Sequence, residues 1–188
     1  FGPLLDTHDR PDNGNLNTRT FGPDVDLNAT LGVAACLGLQ HEGVMPVVKH
    51  FPGDGMTAGN THHEFVVNTA SRQTLEARLL KPFRAAFQAG CDAVMIIPAR
   101  YDALDATRSA VTSRPVITGL LRGELGFDGL VVTDDLGMHG AIQGLAPGEI
   151  PGLEALLDRL AAGSLPVVHV MQGVPFDWWI SRGRVAAA

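Results

Sequence analysis

Residues 115–135, PVITGLLRGELGFDGLVVTDD, read as a helix, a turn and a strand in direct succession. Pro115 suits the first turn of a helix, where its missing N–H leaves no hydrogen bond unmade, and Thr112 or Ser113 stands ahead of it as a cap. Gly126 sits just past the helix end, and Asp128-Gly129 turns the chain into Leu130–Thr133. A short run that is apolar throughout, entered from a helix, is the pattern of a strand buried on both faces of a parallel sheet. Its far end carries two acids, Asp134 and Asp135.

The same alternation extends in both directions. Leu27, Leu31, Ala34, Ala35 and Gly38 share one face at helical spacing, which predicts a helix over Asp24 to His41. Val44 to Lys49 reads as a strand, and residues 51–69 as a long loop rich in glycine and polar side chains. Ser71 caps a helix bearing Leu75, Leu79, Phe83, Ala86 and Phe87, with Pro82 as a point of kinking and Gly90 as its end. Ala93 to Ile97 is the next strand, and Pro3 to Leu5 reads as the end of an earlier one. Downstream, Leu153, Leu156, Leu157 and Leu160 mark a fourth helix, stopped by Gly163 before a strand at Pro166 to Met171. The class is α/β with a parallel sheet. Two architectures fit: part of a (β/α)8 barrel of the TIM type, with about five of its βα units, or a five-stranded doubly wound parallel sheet.

Composition narrows the function classes. Of 188 residues, 45% are apolar and 18% charged, which excludes disorder. Twenty acidic side chains against fourteen basic ones give a net charge of −6, with no basic block to meet a nucleic acid or an anionic membrane. The longest apolar stretch, Leu31 to Leu39, is short and interrupted by glycine, so no membrane span is expected. Cys36 and Cys91 lie in apolar surroundings and read as buried free thiols. The chain opens at Phe1 with neither an initiator Met nor a signal peptide, which reads as a missing start; a cytoplasmic location is the expectation.

In α/β folds the functional side chains gather at the carboxyl ends of strands. Here those ends carry Asp6 with Arg10 and Arg19 beyond it, then Lys49-His50-Phe51-Pro52-Gly53-Asp54-Gly55 followed by Asn60-Thr61-His62-His63-Glu64, and lastly Asp134-Asp135. Any one of these charges alone is a solvated loop residue or a helix cap; several strand ends opening on one mouth argue for a site. A carboxylate nucleophile, Asp134, with an acid/base, His62, suits glycoside cleavage by double displacement. His50, Asp54, His62, His63 and Asp134 form a weaker candidate set for a hydrolytic metal, since their spacing matches no metal-binding helix motif. Gly53, Gly55 and Gly59 lack the pattern of a phosphate-binding loop. Neither a metal nor another cofactor is therefore expected.

Four segments resemble glycoside hydrolase family 3, and its β-N-acetylglucosaminidase branch in particular. KHFPGDG at 49–55 with His62 beyond it is similar to that branch's KHFPGHG-(x)4-D-x-H. GPLLDTHDRPDN at 2–13 resembles its F-A-P-V-L-D-V segment, and NTRTFG at 17–22 its G-D-R-S-F-G. ITGLLRGELGFDGLVVTDDLGM at 117–138 resembles the strand and loop that present the nucleophile. The resemblance covers residues 1–144, a part of the family's barrel domain; residues 145–188 read as a further βα unit with a divergent tail. It implies a partial (β/α)8 barrel and removal of terminal β-linked N-acetylglucosamine with retention of configuration. Asp134 would be the nucleophile and His62 the acid/base, with Lys49, His50 and Arg19 on sugar hydroxyls and Met138 packing beneath the site. The implied partner is a small carbohydrate, with missing barrel strands or an oligomeric partner needed to complete the sheet.

Three positions depart from the family pattern. Asn60 stands where the family has the Asp that would orient and charge-stabilise the catalytic histidine. Asp54 replaces the second His of KHFPGHG, and Pro98 stands where a His is common. An impaired glycosidase is the leading expectation, and a catalytically silent carbohydrate-binding or interaction module the alternative. A metal hydrolase ranks third.

Overall fold

The computed structural model describes residues 1–13, 15–135, 138–142 and 167–170. Its strands are β1 (Val47–Phe51), β2 (Val67–Asn68), β3 (Ala93–Ile96), β4 (Arg100–Tyr101), β5 (Asp105–Ser109), β6 (Leu130–Asp135) and β7 (Val167–Val170). Four of them form a parallel sheet in the order β1-β3-β6-β7, with Val48 opposite Val94 and Met95 opposite Val132. The segment at 3–5, expected as a strand, joins β1 through a single parallel bridge between Leu4 and Lys49. Leu5 N–H donates to Lys49 O at 2.7 Å and Val47 N–H to Gly2 O at 2.9 Å, so the register is fixed even over this short contact.

Strand order follows chain order, and the two faces of the sheet differ. On one, Leu5, Val48, Val94, Ile96 and Val131 pack with Cys36, Leu79, Phe83, Ala86, Leu120 and Leu121 from the helical segments. On the other, Val47, Ala93, Met95 and Val132 form a separate cluster drawn from strands alone. A doubly wound sheet reverses its strand order and carries helices on both faces. Among the described residues neither feature is present.

The helix predicted over 24–41 is α1 (Val25–His41), with Asp24 Oδ1 accepting the N–H groups of Asp26 and Leu27 at 2.9 Å each. Its buried face is not the one that apolar spacing selects. Leu27 and Leu31 are 47% and 39% exposed, whereas Asn28, Ala29, Gly32 and Cys36 are buried. Close approach explains the difference: a Cβ on Gly32 would lie 2.2 Å from Leu5 Cδ2, and the Asn28 amide reaches Asp6 O at 2.9 Å. Only small or hydrogen-bonding residues fit there, so the leucines turn outward.

Ser71 Oγ accepts the Thr74 N–H at 3.1 Å and opens α2 (Arg72–Thr74), which passes through a π-helical stretch at Leu75–Leu79 into α3 (Leu80–Gln88). Pro82 follows that widened stretch. Having no N–H, it makes no bond to the carbonyl four residues back, and the change of helical pitch lies just ahead of it. The next helical segment, Pro115–Glu124, is π-helical throughout, with Leu125 N–H closing on Leu120 O at 2.9 Å. Ser113 Oγ accepts the Val116 N–H at 3.2 Å, as the capping pattern predicts.

Sequence patterning does not reveal the small second sheet, in the order β2-β4-β5, because its strands are short and polar. After β6 the chain enters α4 (His139–Ile142). The helix expected at 153–160 and the division expected after residue 144 fall outside the described residues. Cys36 and Cys91 are buried and free, their sulfurs 3.3 Å apart. Among the described residues no helix is long and apolar enough to cross a membrane.

Candidate active site

The bridge between Leu4 and Lys49 sets Asp6 beside the end of β1, and the parallel register brings the end of β6 to the same rim. Asp6 is fully buried and its carboxylate is filled on both oxygens. The His50 N–H lies 3.1 Å from each oxygen, the Asp54 N–H donates to Oδ1 at 2.8 Å, and His50 Nδ1 stands 2.7 Å from Oδ2. Across the ring, His50 Nε2 is 3.8 Å from Asp134 Oδ2. The other Asp134 oxygen accepts the Asp135 N–H at 2.9 Å. His50 is thus a single imidazole held between two carboxylates.

Burial alone would lower the pKa of His50, but the charges of Asp6, Asp134 and Asp54 and the Asp6 hydrogen bond outweigh it and hold the imidazole above its ordinary value. Lys49, half-buried next in the chain, shifts the other way. Desolvation and the nearby Arg19 guanidinium lower it against the pull of Asp134 and Asp6. Lys49 thus lies within electrostatic reach of Arg19 and Asp134. Arg19 is exposed and steadied by donating Nη1–H to Asn15 O at 2.9 Å.

The turn after β1 is stapled by three hydrogen bonds from two side chains. The Asn13 amide donates to Asp54 O at 3.3 Å and to Thr57 O at 3.4 Å, and the Tyr101 hydroxyl donates to Gly53 O at 2.7 Å. Gly55 admits the backbone of the first loop, since a Cβ there would fall 1.7 Å from Thr7 O. The buried Asp54 carboxyl accepts the Thr57 hydroxyl and is pushed up to about 7, by burial first and then by the charge of Asp6. The acid that replaces the motif's histidine therefore belongs to the buried core of this site.

His62 stands apart from this cluster. It is exposed, and among the described residues its ring makes no hydrogen bond or ion pair; its aromatic neighbour is His63, with ring centroids 6.3 Å apart. Asn60 Oδ1 accepts the main-chain N–H of His62 at 2.9 Å, so this side chain shapes the turn and leaves the imidazole alone. The loop touches the β6 side of the rim where Gly140 N–H donates to Thr61 O at 3.3 Å. Pro98 meets the same region: its carbonyl would be 1.9 Å from a Cβ on Gly140.

Of the residues singled out by sequence, the structure gathers Lys49, His50, Asp54 and Asp134, brings Arg19 to their edge, buries Met138, and leaves Asn60 and His62 on a neighbouring loop. Among the described residues no group of three or more His, Cys, Asp or Glu side chains could hold a metal ion, and His62 and His63 do not join His50 and Asp54. Sequence reasoning noted Asp6 as a strand-end charge and missed that it organises the cluster. It missed Asn13 and Tyr101 altogether, since a buried polar staple leaves no mark on hydrophobic periodicity.

Comparison with known proteins gives this geometry a context. Residues 1–163 match the glycosyl hydrolase family 3 N terminal domain. A beta-hexosaminidase of Xylella fastidiosa (strain M12) is 35% identical over 158 residues, covering 84% of this chain and 46% of its own length. That of Hydrogenovibrio crunogenus is 32% identical over 169 residues, covering 89% and 47%. The chain thus spans about half the length of the curated relatives it matches. Among solved structures, a family 3 beta-N-acetylglucosaminidase from Paenibacillus sp. str. FPU-7 superposes with a TM-score of 0.82 at 34% identity, over 99% of this chain and 36% of that one. NagZ from Neisseria gonorrhoeae, in complex with N-trifluoroacetyl-D-glucosamine, gives 0.76 at 28% identity, over 92% and 47%. The chain belongs to glycosyl hydrolase family 3, as part of its N-terminal domain.

Proposed function

We propose that this chain forms the nucleophile-bearing part of a retaining glycosidase that removes terminal β-linked N-acetylglucosamine, built on a partial (β/α)8 barrel. The observation that carries the reading is Asp134 at the end of β6, one oxygen held by the Asp135 N–H and the other facing His50. Strand order following chain order, with a strand-only cluster on one face, supports the barrel. The remaining strands would come from the rest of a longer protein or from an oligomeric partner.

In this mechanism an Asp134 oxygen attacks the anomeric carbon as the glycosidic bond breaks, and His62 gives its proton to the departing oxygen. Neutral His62 then takes a proton from water, whose oxygen displaces Asp134 and restores the free carboxylate. An imidazole can both give and take a proton, as the two halves of that cycle require. Lys49 and Arg19 donate to sugar hydroxyls, with His50 beside them at Asp134. The N-acetyl preference is drawn from the relatives' printed names and from the N-trifluoroacetyl-D-glucosamine of the Neisseria complex. Asn60 weakens the acid/base, since it supplies no charge to the imidazole and its oxygen is engaged by the main chain.

That same bond favours a second reading, a carbohydrate-binding module without turnover. Release of 4-nitrophenol from its N-acetyl-β-glucosaminide separates the two, because this leaving group needs little protonation. Turnover that vanishes in Asp134→Ala supports the hydrolase. Sugar binding without turnover in a folded protein supports the silent module.

A further inference from the structure

We propose that Asp6 is a positioning residue that holds His50 as an imidazolium, with Nδ1–H on Asp6 and Nε2–H directed at Asp134. The role in turnover rests on the glycosidase reading; the protonation state does not. Asp6 accepts three N–H groups on two oxygens, an arrangement suited to a carboxylate, which has acceptor sites and no donor. Its 2.7 Å contact to Nδ1 makes that nitrogen a donor. In the neutral ring Nε2 would then present a lone pair to Asp134 Oδ2 at 3.8 Å, setting two electron-rich atoms against each other. A proton on Nε2 turns that repulsion into an ion pair.

The surrounding charges agree. The charged groups acting on the ring are Asp6 from the first segment, Asp54 from the turn after β1 and Asp134 from β6. All three are acids, and Asp54 retains its proton up to about 7 because burial and Asp6 oppose its ionisation. Two carboxylates therefore flank one buried cation, with a protonated acid beside them. Asp6 orients the ring, and the ring orients Asp134 by its second oxygen while the first stays on the Asp135 N–H. The nucleophile is in this way fixed from two sides before any sugar arrives.

The test begins with the unmutated protein. Nitrogen-edited NMR of labelled protein, with the His50 signals assigned by their loss in His50→Gln, should show both ring nitrogens protonated at about pH 7.5, a unit above the ordinary value near 6.5. A neutral His50 ring at that pH would overturn the proposal, whether or not the protein turns over substrate. In Asp6→Asn the His50 titration should fall by about one to three pH units. The alkaline limb of kcat/KM for the 4-nitrophenyl substrate should fall with it. Activity lost equally at every pH, with His50 titrating as before, would mean that Asp6 serves structure alone. If Asp6→Asn fails to fold, the spectrum of the unmutated protein still decides. Protonated His50 in a protein without turnover would leave this inference standing and remove the hydrolase reading.

Discussion

Two parts of the rim are built in opposite ways. Around Asp6, His50 and Asp134 the ties to Asp6 and from His50 to Asp134 run across long stretches of sequence, and Asp6 and His50 are buried. Around His62 the side-chain ties are local: Asn60 Oδ1 to the His62 N–H at 2.9 Å, and Glu64 Oε1 to the Asn60 N–H at 3.0 Å. A nucleophile must sit in one place relative to the anomeric carbon, and a parallel sheet supplies that rigidity. An acid/base must reach a leaving group and later a water, and a loop supplies that reach. The contrast places the departures of this sequence: Asp54 lies in the buried part, while Asn60 lies in the locally tied loop.

The largest effect expected from breaking the contrast is at Asp134. Asp134→Asn keeps the shape and removes the nucleophile, and kcat should fall on the order of 10⁴-fold, the scale seen when a reacting group is removed from an enzyme site. Steady-state kinetics with the 4-nitrophenyl substrate checks it. Next is Gly55→Ala, which drives a methyl group into Thr7 O and should cost about 1–3 kcal/mol as overpacking. Denaturant unfolding reads the loss. Turnover should fall as well, because the same turn donates the Asp54 N–H to Asp6.

Asn60→Asp sharpens the comparison from the loop side. It supplies a charge to His62 and should raise kcat about tenfold or more for an alkyl glycoside, within the range credited to general acid catalysis. The 4-nitrophenyl substrate should respond much less. An equal gain for both would point away from leaving-group protonation. The smallest effect is in stability against pH. A carboxyl raised from its ordinary value to about 7 stabilises the fold at low pH, and that contribution is lost as pH rises through 7. Asp54→Asn removes this dependence, so the Tm difference between variant and parent should grow in the variant's favour from pH 5 to pH 8.

The rigid part was also the more legible in sequence. Apolar runs gave the strands of the main sheet, glycines and capping residues gave the helix ends, and the KHFPGDG and TDD strings marked Lys49, His50, Asp54 and Asp134. What escaped was tertiary. Leu27 and Leu31 form a face by spacing, yet α1 buries Asn28 and Gly32, because close packing on Leu5 favours small residues. Asp6 resembled any strand-end acid until the bridge at Leu4 put it under His50. In the second sheet β2 and β4 have two residues each, too few to produce a period, and β5 is polar.

The most direct test of the central claim is to trap the glycosyl-enzyme. The protein is mixed with the 4-nitrophenyl N-acetyl-β-glucosaminide, quenched in acid during turnover, digested and read by mass spectrometry. The account predicts one N-acetylglucosaminyl group on the peptide that contains Asp134, and none in Asp134→Asn. Steady turnover with the sugar attached to another residue would contradict it.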